Sequence, residues 1–555
     1  MKEYTYALAR RESRQELLGD TSDFCFPRNL ARATPIKRCV SCCRIFSPEL
    51  YFGLALAIAG STCVLGTVTI RPLITVGTPD RDGNASKMSA HVCCQAKFLL
   101  RFSLDELHVI FKQPSTSSLM PTIFFKTTGC SANFSDTEIM KGLLAKEGYV
   151  LADSEASADV IVFNACTVKG DSPALREVRK LKEQFPNKKI IVGGCVTQSL
   201  LKSLKTNTGD ISFLNTHNLD KIRTVVDAAL MNTQIEVLGG GTDGRTLQKT
   251  LLPKVRRNAA VAIIQCESGC DSACAFCSTK LIKGRTQSYS VESICKEAEQ
   301  AVLDGCREIW LTGTDMSCYG RDIQTDLPAL VEAVVNVPGD FMVRIGMANP
   351  AGVLTYASRL GQVLMHPKVF KFLHVPIQSG NNRILKLMKR AYTVEEYNAM
   401  IGMFRALIPD LTLATDIIVG FPGETNEEFM DSVKHVQEVK PAFCNISRFA
   451  LRQGTAAVRL PESVQGNVKK DRSTILARAY KNVSLENNKR WIGWEGTVII
   501  EEKGKNDCWL GRTKTYMLVE VQGAFMLGQK VHISITGIAE HHLVGKAIEK
   551  EVLAT

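Results

Sequence analysis

VAIIQCESGCDSACAFC, Val261 to Cys277, joins an apolar, β-rich run to three cysteines in a C-x3-C-x2-C spacing. Three thiolates so placed, Cys270, Cys274 and Cys277, can wrap three corners of a cubane [4Fe-4S] cluster and leave the fourth iron without a protein ligand. An open iron is a place for chemistry. Zinc is the competing reading, but structural zinc takes four ligands, usually two C-x2-C pairs or added histidines, and no fourth Cys or His follows at a closing distance. Cys266, four residues before Cys270, belongs to the strand rather than to the loop. Coincidence in a chain with 19 cysteines is the remaining alternative.

The same grammar recurs upstream. Cys130 ends TIFFKTTGC, Cys166 ends VIVFNAC and Cys195 ends KIIVGGC, each after a short β-rich run and before a polar, helix-favouring stretch. The separations, 36 and 29 residues, suit βαβ repeats, and in a parallel sheet all such loops open at one carboxyl edge. Three thiols distant in sequence then converge, as a second metal cluster would require. Ordinary buried cysteines, common apolar fillers, are the alternative.

From these residues the chain resembles a family. CDSACAFC is similar to the signature of radical S-adenosylmethionine (SAM) enzymes, and the TTGC, NAC and GGC trio resembles the amino-terminal domain of methylthiotransferases. The resemblance is strongest to the archaeal and eukaryotic methylthiotransferases of threonylcarbamoyladenosine in tRNA. It is carried by FKTTGCSANFSDTE from Phe125, NACTVK from Asn164, GGCVTQ from Gly193, HVPIQSGNNRILKLMKRAYT from His374 and TDIIVGFPGET from Thr415. It covers residues 119–550 and not the first 118.

The resemblance implies two [4Fe-4S] clusters and SAM as cofactors. Cys270, Cys274 and Cys277 would hold the cluster whose open iron is chelated by the SAM methionine, giving a 5′-deoxyadenosyl radical on reduction. Cys130, Cys166 and Cys195 would hold the auxiliary cluster that supplies sulfur. Both clusters must come close together, so the carboxyl edge of the first domain should face the mouth of the barrel. In the family the end of the second barrel strand helps bind the methionine amine; here it reads LTGTDMSCYG, where Thr314 departs from a glutamate in close relatives and leaves Asp315 as the carboxylate. Arg344 and Asn349, Gln378 and Ser379, and Gly420 and Gly423 sit at strand ends or turns where they could meet cofactor or substrate. The plain structural alternative is that Asp315 caps a helix and the glycines make turns. For the carboxylate of the threonylcarbamoyl group, Arg344 and Arg383 are the candidate cations, with structural ion pairs as the alternative.

The expected fold is α/β in three parts: a flavodoxin-like βα domain at 119–237, an open (βα)6 radical SAM partial barrel at 253–487, and a small β-barrel at 488–550. LGGGTDGRT, within 238–252, reads as a linker. The last part has short β-rich runs with glycines between them, a pattern for about five strands. It resembles the TRAM domain, a tRNA-binding module, with Lys503, Lys505, Arg512, Lys514, Trp509 and Tyr516 as the basic and aromatic mixture that RNA favours. A formal charge of +12 suits a polyanionic partner, although about +5 of it precedes residue 119.

Residues 1–118 are an extension of unknown role. Leu50–Ile70 carries no charge over 21 residues, long enough to cross a membrane. A membrane anchor, part of an organelle-targeting leader, and a dispensable extension stand side by side, so the localisation is cytoplasmic, membrane-anchored or organellar. Free thiols at the cluster positions require a reducing compartment. The expected partners are the tRNA anticodon loop and an electron donor protein, with the chain a monomer. The function so read is 2-methylthiolation of threonylcarbamoyladenosine 3′-adjacent to the anticodon. The alternatives are a methylthiotransferase of isopentenyladenosine or of a ribosomal protein, and a non-catalytic iron-sulfur tRNA-binding protein.

Overall fold

The computed structural model describes residues 120–168, 170–240, 247–461 and 463–548, with three short strands further upstream. Those three form one small unit: β1 (Leu56–Ala59) pairs antiparallel with β2 (Thr62–Leu65), and β2 pairs with β3 (Arg101–Phe102). The rest of the apolar segment Leu50–Ile70 lies outside the described residues. Among the described residues no helix is long and apolar enough to cross a membrane.

The second unit begins with a six-stranded parallel sheet made of β4 (Thr122–Thr127), β5 (Val150–Leu151), β6 (Val160–Ala165), β7 (Lys189–Gly194), β8 (Ile211–Asn215) and β9 (Glu236–Val237). Its order, β5-β4-β6-β7-β8-β9, is the flavodoxin-like doubly wound arrangement, which reverses direction between β4 and β6. The strands are apolar on both faces because helices cover both. Ile123, Val160 and Val162 pack with Ile139, Met140, Val225 and Val226; Ile161, Phe163 and Val192 pack with Val178, Leu181, Leu200 and Leu204.

The helix Ser131–Lys146 departs from the ordinary amphipathic pattern. It buries Asn133, Ser135, Asp136, Thr137 and Glu138 as well as its apolar residues, since one face lies on its own sheet and the other on the next domain. Across that seam Asp136 accepts from Lys249 Nζ at 2.6 Å, from Thr216 Oγ1 at 2.7 Å and from Gln265 Nε2 at 2.7 Å. Burial works against the Asp136 charge, and Lys249 with Lys283 holds its carboxyl below the usual carboxylate range.

Gln265 ends β10 (Val261–Gln265), the first strand of the second domain; a short antiparallel pair, β11 (Glu267–Ser268) with β12 (Gln287–Ser288), brackets the cysteine loop. With β13 (Glu308–Thr312) and β14 (Met342–Ile345), β10 makes one three-stranded parallel sheet; β15 (Phe372–His374), β16 (Thr412–Val419) and β17 (Phe443–Arg448) make another. A parallel bridge between Val343 and Val369 joins the two, so six strands run in chain order as an open barrel. The strands are those expected from the apolar runs.

The chain ends in a closed five-stranded barrel: β18 (Glu495–Lys503), β19 (Cys508–Thr513), β20 (Leu518–Gln522), β21 (Lys530–Ile538) and β22 (Leu543–Ala547), in the order β18-β19-β20-β22-β21. It plugs the partial barrel at the amino-terminal end of the strands. Tyr516 packs on Phe370 and Phe372 at ring-centroid distances of 4.9 and 4.7 Å, and Lys530 pairs with Asp340 just before β14 at 2.5 Å. The cysteine loop opens at the opposite end.

The buried Asp136–Lys249 pair makes a testable demand on stability. Asp136→Ala strands the Lys249 ammonium away from water and is expected to lower unfolding free energy by about 3–5 kcal/mol. The double change Asp136→Ala with Lys249→Met should recover part of that loss in chemical denaturation of the full chain.

Candidate functional site

Parallel strands place all three upstream cysteines at the carboxyl edge of the first sheet. Cys130 occupies the N-cap position of Ser131–Lys146 without capping it, Cys166 follows β6, and Cys195 follows β7. The structure brings them together. Asn133 Oδ1 lies 3.8 Å from both Cys130 Sγ and Cys195 Sγ, while Asn133 Nδ2 donates to Ala165 O at 2.8 Å and Thr128 O at 3.1 Å. Gly129, at φ +110°, backs directly on Cys166: a Cβ there would lie 2.3 Å from the Cys166 Cβ. Only glycine permits that approach.

Two of these thiols, Cys166 and Cys195, are poor acids as they stand. Burial pushes Cys195 up to about 11, and burial with the neighbouring Cys130 and Cys195 raises Cys166 further. Three thiolates in one pocket need a compensating cation, which metal ligation supplies by deprotonating them outright. Lys283 adds a buried charge nearby. Burial opposes its protonation, but Cys195, Cys130, Asp136 and Glu267 hold its ammonium above the usual lysine range.

The second cysteine set faces the first. Thr167, next to Cys166, meets Ser278, next to Cys277, with Oγ1 and Oγ 3.1 Å apart, and His217 Nε2 lies 2.8 Å from Ile282 O. The CxxxCxxC loop itself is anchored at several points. Cys270 N donates to Gly284 O at 3.1 Å, Ala275 N donates to Met388 O at 3.0 Å, and Ala275 O accepts from Ala457 N at 2.8 Å. Ala275, Ile384, Met388, Phe421, Phe449 and Ala457 form an apolar wall behind it. Neither triad closes tightly enough for a single ion: among the described residues, the one group of three whose ligand atoms all lie within 4.8 Å of one another is Cys270, Asp315 and Cys318.

Asp315 and Asn349 belong to this site. Asp315 caps the turn Met316–Cys318, the structural role foreseen as its alternative, and its Oδ2 also lies 3.7 Å from Cys270 Sγ. Asn349 Nδ2 donates to Ser272 Oγ at 2.8 Å. Arg390, which sequence reasoning missed, binds both: Nη1 donates to Cys274 Sγ at 2.9 Å and Nη2 to Asn349 Oδ1 at 2.8 Å, with Nε on the Tyr392 hydroxyl at 2.9 Å. Its signal in the sequence is the string MKRAYT, Met388 to Thr393. A second missed group faces the lumen, where His374, Asp416 and Asn445 come from three adjacent strands. Asp416 Oδ1 lies 3.1 Å from His374 Nε2 and accepts from Asn445 Nδ2 at 2.7 Å.

Other candidates lie elsewhere. Arg344 is buried in an aromatic cage, its guanidinium 5.0 Å from the Trp310 ring, 5.5 Å from Phe372 and 5.6 Å from Tyr516. Arg383 pairs with Glu428 and donates to Gly423 O at 2.5 Å. Gln378 holds φ +77° and donates its N–H to Asp416 O at 2.8 Å; Ser379 is fully buried and its Oγ accepts from Asn381 N at 3.3 Å. Gly420, at φ +72°, lies against Lys469 of the helix Gly466–Lys489. In the small barrel, Arg512 and Tyr516 are corrected from the expected RNA surface. Arg512 is buried against Glu501 at 3.2 Å and stacks on Tyr516, so neither can reach a phosphate. Lys503 and Lys514 are exposed, and Trp509 is half-buried.

The crowding at Gly129 gives a direct test. Gly129→Ala is expected to leave the reconstituted chain with about four irons instead of about eight, the remainder on the CxxxCxxC loop. Iron and sulfide analysis with electron paramagnetic resonance checks it.

Comparison with known proteins agrees with this geometry. Residues 122–215 match the uncharacterized protein family UPF0004, and residues 265–436 match the radical SAM superfamily. A probable threonylcarbamoyladenosine tRNA methylthiotransferase of Methanothermobacter thermautotrophicus is 36% identical over 399 residues, 72% of this chain and 93% of the relative. The threonylcarbamoyladenosine tRNA methylthiotransferase of Homo sapiens is 36% identical over 447 residues, 78% of this chain and 76% of the relative. A probable enzyme of the same name from Archaeoglobus fulgidus is 36% identical over 430 residues, 76% of this chain and 98% of the relative. With two cysteine triads meeting across one seam and relatives of this identity and coverage, the chain belongs to the threonylcarbamoyladenosine tRNA methylthiotransferases, radical SAM enzymes that transfer sulfur.

Proposed function

We infer that the chain adds a methylthio group to C2 of N6-threonylcarbamoyladenosine, 3′-adjacent to the anticodon of tRNA. The observation that carries this is the meeting of Thr167 and Ser278, which sets the Cys166 loop against the Cys277 loop. In this reading Cys270, Cys274 and Cys277 hold one [4Fe-4S] cluster and Cys130, Cys166 and Cys195 another. Bound there with SAM, the two clusters supply the radical and the sulfur for the C–H to C–S conversion.

The chain's own residues position and shield. Arg390 donates a charge-assisted bond to Cys274 and so fixes that thiolate and tunes it. Asp315 would offer its carboxylate to the methionine amine of SAM, and Ser272 of the loop links it to Asn349. Phe421 and Phe449 exclude water on the far side of the loop. Lys283 offsets the negative charge of the ligand thiolates.

Arg344 and Arg383 are each committed to other partners. The lumen group of His374, Asp416 and Asn445 is the better candidate to meet a base turned out of the anticodon loop. The tRNA grip of the small barrel falls to exposed lysines such as Lys503 and Lys514. Deleting the whole barrel would strip Tyr516 from Phe370 and Phe372, so point changes are the cleaner probe.

Purified enzyme with SAM and a low-potential reductant is expected to convert threonylcarbamoyladenosine tRNA to its 2-methylthio form and to ignore isopentenyladenosine tRNA, as read by nucleoside mass spectrometry. The opposite selectivity would reassign the substrate; loss of activity on every tRNA with both clusters intact would favour a non-catalytic role.

Charge reversal at Lys503 and Lys514 together should weaken tRNA binding and flatten its salt dependence, each lost phosphate contact reducing the log–log slope by about 0.7–0.9. Iron content and SAM cleavage without tRNA should stay at native levels.

A further inference from the structure

Cys318 stands outside every cysteine motif, 41 residues after Cys277, yet the fold returns it to the CxxxCxxC loop. Its Sγ lies 3.5 Å from Asp315 Oδ2, Cys270 Sγ lies 3.7 Å from the same oxygen, and all three ligand atoms are within 4.8 Å of one another. A tetrahedral ion with sulfur at about 2.3 Å and oxygen at about 2.0 Å sets S···O edges of about 3.5 Å and an S···S edge of about 3.8 Å. Both sulfurs already stand near such an S···O edge from the carboxylate oxygen, and the three atoms lie within 4.8 Å of one another.

The carboxylate is aimed there by its surroundings. Asp315 Oδ1 accepts from Ser317 N at 3.1 Å, Ser317 Oγ at 2.7 Å and Asn349 N at 2.9 Å, which turns Oδ2 toward the thiols, where it also accepts from Ser272 Oγ at 3.3 Å. Asp315 and Cys318 are only 3% and 2% exposed, and the partly exposed Cys270 leaves the loop side open to a water as fourth ligand. Orientation of a ligating carboxylate by its other oxygen is what a built metal site shows.

We propose that Cys270, Asp315 and Cys318 bind a single divalent ion of the zinc type in the cluster-free protein, with water completing the tetrahedron and two thiol protons released. Because Cys270 is needed by both, the ion and the iron-sulfur cluster on the CxxxCxxC loop exclude each other. This competition rests on Cys270 being a cluster ligand; the ion site does not.

The test uses the full chain, cluster-free and reduced under anaerobic conditions, titrated with Co²⁺ and then with Zn²⁺. A tetrahedral cobalt–thiolate absorption is expected in the native chain and in the Cys274→Ala/Cys277→Ala variant, and is expected to be lost in Cys318→Ala. With zinc loaded first, iron-sulfur reconstitution should stop at about half the native iron, from about eight to about four. Cys318→Ala should reach the native iron level with the same zinc present. In the native chain, zinc should protect Cys270 and Cys318 from alkylation while Cys274 and Cys277 react, a readout that needs no variant. Persistence of the cobalt band in Cys318→Ala, its loss in Cys274→Ala/Cys277→Ala, or protection of Cys274 and Cys277 instead would overturn the proposal. Failure of all iron loading without zinc would count against the cluster assignment and leave the ion site standing.

Discussion

A buried ion pair holds this enzyme's geometry. Asp136 and Lys249 are both removed from water, and two charges persist there only because every available partner is used: Thr216 from the first sheet, Gln265 from the end of β10, and each other. Asp136 lies on the helix whose N-cap position is Cys130, so the angle at which that helix rests on β10 also sets the distance between the two cysteine sets. A helix free on one side would have shown an apolar stripe. This one carries polar residues on both faces because its second face is an interface.

The fold was legible in sequence where a local pattern carries it. Six apolar runs became six barrel strands, and glycine-separated β-rich runs became a closed five-stranded barrel. The three upstream cysteines were legible because each follows a strand, and Cys270, Cys274 and Cys277 because of their close spacing on one loop, both properties of neighbours in sequence. The rest of the site was not, because its residues acquire their roles only through folding. Arg390 reaches Cys274 across 116 residues, and Cys318 reaches Cys270 through a turn on another loop. His374, Asp416 and Asn445 look unrelated until β15, β16 and β17 set them side by side.

Charged residues were misread in one direction. Arg344, Arg383 and Arg512 all looked available to an anionic ligand, and all are engaged by the protein. Arg512 finds Glu501 eleven residues away across a hairpin, and Arg344 finds three aromatic rings from three different segments. A guanidinium stacks well on rings and is weakly hydrated, so burial suits it better than it suits lysine. In the small barrel, the exposed cations Lys503 and Lys514 are lysines.

The small barrel has a consequence beyond recognition of RNA. By seating Tyr516 against Phe370 and Phe372, it stoppers the partial barrel and turns the lumen into a cul-de-sac. The amino-terminal end of the strands is thereby closed, and the lumen opens at the carboxyl edge where the cysteine loop lies.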